Sequence, residues 1–422
     1  MAEDRKLMVG MDLCDGVTQL SCCRLESDEA VPVGRLVGKE REYECPTVLS
    51  FHPSRKEWLF GTDAIVASEK RKVILFRHMI QQISENREVS SGDMTITGVD
   101  ALARFFVKVL SCLKEYFPNE TIRKLVVTVF DNNDNLTETI TEAMKQIGIG
   151  SDRLVIQPHR QSYMYYALCQ KKELWMNDVG LFEFGREGMF YSQLHIDRRS
   201  IPYIVGVRQK DLSDTLNWDM MEHDSSFRIE YAFTNLANTQ LHKQMVTTIY
   251  VSGEGFEGEW ADAALRQLCT GRRVFRGSNL FTKGACYAAR EFAGQGPMKD
   301  FLFLDEEMIC NNISIRVYRD AKMQELVLAR AGTPWKDVDV SVDLIPDDEE
   351  ELQMTTHNVL RHETKIHLLS LEGFDDRQNK MTRFTVRLRF ADASHCIVTL
   401  KDNGFGEFCP SSHRIWERYI SL

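Results

Sequence analysis

The feature that most constrains this chain is a pattern that occurs twice. Leu7–Arg24 runs as an apolar stretch, a carboxylate at Asp12, a turn at Asp15-Gly16 and a second apolar stretch. Leu7–Leu13 and Gln19–Arg24 read as strands, and an Asp-Gly pair between such runs is the strongest short-range signal for a hairpin. Val179–Ile196 repeats the arrangement, with Glu183 in the place of Asp12 and Gly185-Arg186-Glu187-Gly188 as the turn. Two similar hairpins imply two similar half-domains. At 422 residues the chain is also too long for one hydrophobic core, so two or three domains are expected.

Charge and apolar patterning exclude several classes. Lys and Arg number 52 against 62 Asp and Glu, a net charge of −10. That balance argues against a general binder of nucleic-acid backbones, which needs a basic face. No apolar run approaches the roughly 18 residues of a membrane span, and the start, MAEDRKLM, lacks the apolar centre of a secretory signal. A cytoplasmic protein is the expectation. The eleven cysteines are scattered, with Cys22-Cys23 adjacent and no C-x-x-C pair, so neither a disulfide framework nor a zinc site is indicated.

Along the chain, Tyr43–Phe51 and Trp58–Gly61 read as strands, and Asp63–Arg87 as helical. In Gly98–Tyr116 the residues Val99, Leu102, Phe105, Phe106, Val109, Leu110 and Leu113 recur at helical spacing. Strand Leu125–Phe130, helix Asp134–Ile147, strand Leu154–Ile156 and helix Ser162–Glu173 follow, the alternation of an α/β layer. After the second hairpin come strand Tyr203–Val207, helix Ile229–Met245, strand Val246–Val251, the turn Gly253-Glu254-Gly255, a helix from about Glu257 to Leu268 and another over Asn279–Ala289. Gly294–Pro297 reads as a linker. Beyond it, short runs at Ile313–Tyr318, Glu325–Ala329, Val338–Leu344, Lys365–Leu371, Arg383–Phe390 and Cys396–Leu400 predict an all-β sandwich.

A hairpin after Asp12, a hairpin after Glu183 and a strand-Gly-x-Gly-helix at Val251–Trp260 stand in the order that resembles the actin-like ATPase superfamily, and most nearly the DnaK-type heat-shock chaperones. Pro46–Phe51, Gly61–Ala64, Leu125–Gly148 and Ile156–Leu168 sit where that family has related segments, and Arg383–Gly406 resembles part of its peptide-binding β-sandwich. The resemblance implies a two-lobed, ribonuclease H-like α/β domain over residues 1–295, with lobe I at about 1–175 and lobe II at about 176–295, followed by a β-sandwich over 296–422. It also implies ATP or ADP with Mg²⁺ as ligands. Asp12, Asp15, Gly16, Gly185, Arg186, Gly188, Gly253 and Gly255 would lie at the nucleotide, with Asp12 and Glu183 holding the metal through water. Arg77 stands for the family's catalytic Lys, and Gln157 for the Glu of its N-E-P segment.

Each motif departs from the family where the chemistry is done. The family's first phosphate loop reads D-L-G-T-T, and Asp12-Leu13-Cys14-Asp15-Gly16 keeps the Asp but loses the hydroxyls. Its second reads D-L-G-G-G-T, because only glycine lets successive amides form an anion nest, whereas Glu183–Gly188 places side chains there. His195–Val246 is shorter than the family's second-lobe insertion, and Glu407–Leu422 leaves no room for its helical lid. The reading that follows is a pseudo-ATPase acting as a protein- or peptide-binding scaffold through its sandwich, with no nucleic acid or membrane partner. The alternatives are an active Mg-ATP-dependent ATPase with unusual loops and a filament-forming actin relative.

Other patterns carry blander readings. His362 and His367 lie at i, i+5 by a predicted strand and read as a solvated face rather than a ligand pair, and His159, His195 and His357 show no metal spacing. Tyr163, Tyr165 and Tyr166 read as helix packing, and Asp347–Glu351 as a solvated acidic loop.

Overall fold

The computed structural model describes residues 5–24, 27, 29–37, 39–70, 73–199, 201–346, 351–370 and 380–422. The fold is mixed α/β. It divides into two compact units, one made of the residues up to His195 with Val207–Lys299, the other of Ile196–Gly206 with Asp300–Leu422. The predicted boundary at 295/296 lies close to this division, but Ile196–Gly206 belongs with the second unit. The cause is pairing: Tyr203–Gly206 lies parallel to Phe301–Leu304.

The larger unit carries the repeated pattern as two sheets built alike. In the first, the strands run in the order Leu154–Pro158, Thr121–Val129, Arg5–Leu13, Val17–Arg24 and Val31–Val33, with Glu44–Pro46 also paired to Val17–Arg24. The second has Arg273–Arg276, Val246–Ser252, Asp178–Gly185 and the hairpin strand from Gly188. In each, the first three strands are parallel and the hairpin partner is antiparallel. Register repeats as well. Asp12 stands opposite Thr128, and Glu183 opposite Ser252.

Helices cover these sheets for the reason the spacing gave. Helix Gly98–Ser111 buries Leu102, Phe105, Phe106 and Val109 on one face and is capped by the Thr97 side chain, which accepts from the Asp100 amide. Each fully buried Phe contributes about 2–3 kcal/mol. Helix Asp134–Gln146 is capped by Asn133, and Gly148 at φ +86° ends it. The predicted helix over Asp63–Arg87 is instead two, Gly61–Glu69 and Met79–Asn86, separated by strand Ile74–Phe76. Phe76 is wholly buried there, and the strand pairs with Leu49–His52. Helix His159–Leu168 starts three residues before the predicted Ser162, directly after Pro158. The helix expected from Glu257 begins at Asp262. Short elements with weak periodicity were not predicted, among them Trp218–His223 and Arg273–Arg276.

One helix ties the first sheet to the region after the second. Leu280–Phe292 packs on strand Arg5–Leu13 and on helix His159–Leu168. The approach is backbone to backbone. A Cβ at Gly10 would stand 2.1 Å from the Thr282 carbonyl oxygen, and one at Gly284 would stand 1.9 Å from that of Ser162. Around the contact, Ser21 and Thr282 share a buried hydroxyl hydrogen bond of 2.8 Å, and the Cys286 thiol donates to the Met8 carbonyl.

The second unit contains two four-stranded antiparallel sheets. Their orders are Lys322–Ala329, Asn311–Arg319, Glu351–Asn358, Glu363–Ser370 and Asp339–Leu344, Phe384–Asp392, His395–Asp402, Ile415–Ser421. Ile313, Ile315 and Met354 of one share a core with Val386, Leu388 and Val398 of the other, the sandwich expected from the alternating runs. Glu351–Asn358 and Ile415–Ser421 were not predicted, because their polar content hides the alternation. Of the acidic run, Asp347–Glu350 lies outside the described residues, as does Leu371 of a predicted strand. His367 bonds Thr356, and His357 bonds Thr364. The eleven cysteines are free, and among the described residues no helix is long and apolar enough to cross a membrane.

Gly284→Ala should destabilise the protein by about 3 kcal/mol or more, because the clash is with backbone and cannot relax by a rotamer change. Gly277→Ala, with open space at the added Cβ, should stay within about 0.5 kcal/mol. Equal urea midpoints for the two variants would refute this account of the packing.

Candidate functional site

Both hairpins deliver a carboxylate to the same place. Asp12 and Glu183 each lie near the end of the first strand of their hairpin, and both are buried. Between them stands His159, the first residue of its helix. Its Nε2 lies 2.8 Å from Asp12 Oδ1, and its Nδ1 lies 2.6 Å from Glu183 Oε1. The imidazole is 2% exposed. Its ring stacks on Phe281 at 3.9 Å between centroids and meets Phe130 edge-on. Cys14 completes the group, with Sγ 3.3 Å from Asp12 Oδ1 and 3.7 Å from His159 Nε2.

Burial alone would push the His159 pKa down, but the charges of Asp12 and then Glu183 overcome it and hold the pKa well above the usual histidine range. The ring is therefore an imidazolium donating from both nitrogens to two buried carboxylates. Burial, reinforced by the Asp12 charge, pushes the Cys14 thiol well up, so it stays protonated.

Beside this group lies a cavity of about 60 Å³ lined by Asp12, Glu44, Glu183, Glu187, Glu254 and Glu257 against only Arg186 and His159 as cations. Ligand pockets for small molecules are several-fold larger, about 300–1,000 Å³. Burial raises the pKa of Glu187 and of Glu254. Carboxyl side chains outnumber cations in the lining by six to two. Two buried atoms of lining residues, Gln19 Oε1 and Ser252 Oγ, have no hydrogen-bond partner.

The candidate residues named from the sequence separate into those at the cavity and those elsewhere. Asp12, Gly16, Glu183, Gly185, Arg186 and Gly253 line it, whereas Asp15, Arg77, Gln157, Gly188 and Gly255 do not. Asp15 faces no anion. Its carboxylate accepts from the Ile80 and Gln81 amides and pairs with His78 at 2.7 Å, capping helix Met79–Asn86, which has no cap of its own. Arg77 is exposed beside it. Gln157 is buried and donates to Ser162 Oγ. Arg186 lies over the Trp218 ring at 4.7 Å and pairs with Glu254. Gly253, at φ +104°, lets its backbone reach Phe184: a Cβ there would stand 2.2 Å from the Phe184 carbonyl oxygen. Gly255 packs on the Phe184 ring, and Gly185 pairs with Gly188 across the hairpin turn. These glycines are filled by protein, and the residues present do not make a phosphate cradle. Nor is the space between Asp12 and Glu183 open to a hydrated Mg²⁺, since the His159 ring occupies it.

No motif marks Phe281, and His159 shows no metal spacing in the sequence. What marks His159 is a position: it follows Pro158 at the start of a helix, in the segment where the resemblance would have N-E-P.

A family model described as "Family of unknown function (DUF5716) C-terminal" matches residues 34–306, more than half of the chain. The chain belongs to the DUF5716 family. In this DUF5716 member a second model, "Domain of unknown function (DUF8552)", matches residues 308–422, within the β-sandwich unit. No curated protein matches the sequence.

Removing the cation should be costly, because a buried ion group that loses one partner keeps an uncompensated charge. His159→Ala is expected to lower stability by about 3–5 kcal/mol, read from urea denaturation. Arg77→Ala should change it by less than about 0.5 kcal/mol. A His159→Ala protein as stable as the parent would show that the bridge contributes nothing.

Proposed function

We propose that this protein is a chaperone-like member of the actin-like ATPase superfamily whose nucleotide site is closed, and that it works as a protein- or peptide-binding scaffold. The observation that carries the reading is the buried His159 bridge between Asp12 and Glu183. An internal imidazolium stands where the resemblance would put metal-bound water, and a small acidic cavity adjoins it. Phosphoryl transfer depends on positioning and on charge neutralisation by metal and Lys or Arg. Here a single imidazolium already offsets part of the carboxylate charge from within.

The two like-built sheets, each with a carboxylate at the same register position, support the architectural half of the reading. The sandwich supports the binding half. Its edge strand Glu363–Ser370 carries Ile366 and Leu368, 64% and 56% exposed. Extended peptides add to such edges through main-chain hydrogen bonds, with alternate side chains giving specificity.

Calorimetric titration with ATP and ADP in Mg²⁺ tests the closed site. The expected result is no heat and no thermal stabilisation at millimolar nucleotide; micromolar binding that disappears in Asp12→Ala would restore the ATPase reading. For the scaffold, Ile366→Glu with Leu368→Glu should weaken binding of unfolded-protein or apolar-peptide probes at least tenfold in fluorescence anisotropy. Unchanged affinity would remove this edge from the proposal.

A further inference from the structure

We propose that Asp12, Cys14 and His159 form a binding site for a borderline divalent transition ion, Zn²⁺ foremost. Asp12 Oδ1, Cys14 Sγ and His159 Nε2 make a triangle with sides of 2.8, 3.3 and 3.7 Å, and all three side chains are buried or half-buried. With Zn–N and Zn–O bonds of about 2.0–2.1 Å and Zn–S of about 2.3 Å, tetrahedral ligation needs separations of about 3.3–3.6 Å. The two distances to sulfur are already within about 0.3 Å of that. Only the Asp12–His159 separation must widen, by about half an ångström.

Three further observations point the same way. The nitrogen of His159 that faces away from the triangle, Nδ1, is held by Glu183 Oε1 at 2.6 Å. A carboxylate on the distal nitrogen is what fixes the tautomer and orientation of a metal-ligating histidine. The ring plane is set by the Phe281 stack, so the ligand is pre-positioned. Asp12, Cys14 and His159 all line the 60 Å³ cavity, where Gln19 Oε1 and Ser252 Oγ lack partners. That is room for a water or one atom of a small ligand, the open coordination of a reactive rather than a purely structural zinc.

The ligand set selects the ion. Thiolate and imidazole suit Zn²⁺ and its transition-metal neighbours, and Mg²⁺ or Ca²⁺ would need oxygen ligands in larger number. Binding exchanges the protons on His159 Nε2 and Cys14 Sγ for one divalent cation. Two positive charges leave as two arrive, so the formal charge of the buried group is unchanged and no new net charge is desolvated. Nothing is oxidised or reduced.

The test is to strip the full-length protein with chelator and titrate it with Co²⁺ as an optical stand-in. One equivalent should bind with a thiolate-to-cobalt charge-transfer band in the near ultraviolet and the visible absorption of tetrahedral Co²⁺. Zn²⁺ should displace it, and a large excess of Mg²⁺ should not. Cys14→Ala should abolish the band and weaken Zn²⁺ binding at least tenfold; Glu183→Gln should weaken it by about 10–100-fold. Cys269→Ala, which removes the exposed thiol, should change neither. No stoichiometric uptake, or a band that survives in Cys14→Ala, overturns the proposal. Should Cys14→Ala not fold, X-ray absorption of the Zn²⁺-loaded parent decides, with one sulfur among nitrogen and oxygen ligands expected and any other sulfur count fatal. The inference stands on the cluster and not on the scaffold reading: peptide or nucleotide titrations can fail or succeed with this result unchanged.

Discussion

The larger unit depends on one electrostatic necessity. A fold that repeats a strand-carboxylate hairpin brings Asp12 and Glu183 into one buried place, where two like charges cannot both remain ionised without a cation between them. His159 supplies that cation from the start of a helix, and Phe281 supplies the wall against which its ring is held. Both are at helix N-termini, His159 after strand Leu154–Pro158 and Phe281 shortly after strand Arg273–Arg276. The equivalent positions of the two repeats are thus used for complementary tasks, charge in one and surface in the other.

Packing makes this arrangement rigid. Helix Leu280–Phe292 can carry Phe281 to the ring only if it lies directly on strand Arg5–Leu13 and helix His159–Leu168, and Gly10 and Gly284 permit that distance. A larger residue at either would push the helix off its seat and shift Phe281 relative to His159. Core packing and site geometry are therefore set by the same two glycines, neither of which lines the cavity.

Much of this was legible. The hairpins, the helix with Leu102, Phe105 and Phe106 on its buried face, and the alternation of the sandwich strands follow from periodicity and turn chemistry, which are local. The strand at Ile74–Phe76 was not, because its three residues are strand only by pairing with Leu49–His52. The carboxylates of the site were found because they recur with the hairpins. His159 was missed since no short spacing announces it: positions 12, 14, 159 and 183 meet only in three dimensions. Asp15 shows the opposite error. Its place in a phosphate-loop-like motif suggested an anion site, while its carboxylate serves a helix 65 residues away that lacks a cap.

Departures from a phosphate loop that a sequence resembles are usually read as loss alone, and here each one has a structural counterpart. Where the resemblance would have the glycine of the first loop, Cys14 brings a sulfur to His159. Where it would have a glycine turn open to adenosine, Gly253 and Gly255 meet Phe184, and where it would have a phosphate loop the Glu183–Gly188 turn carries Arg186 onto Trp218. A lining of carboxylates disfavours a bare polyphosphate, but it suits a site that holds an imidazolium or a small dication. The two cations are interchangeable in charge only because Cys14 gives up a proton along with His159. Without that thiol the same carboxylates would hold a histidine and nothing more, which makes Cys14, rather than either hairpin carboxylate, the residue that separates a closed site from a metal-binding one.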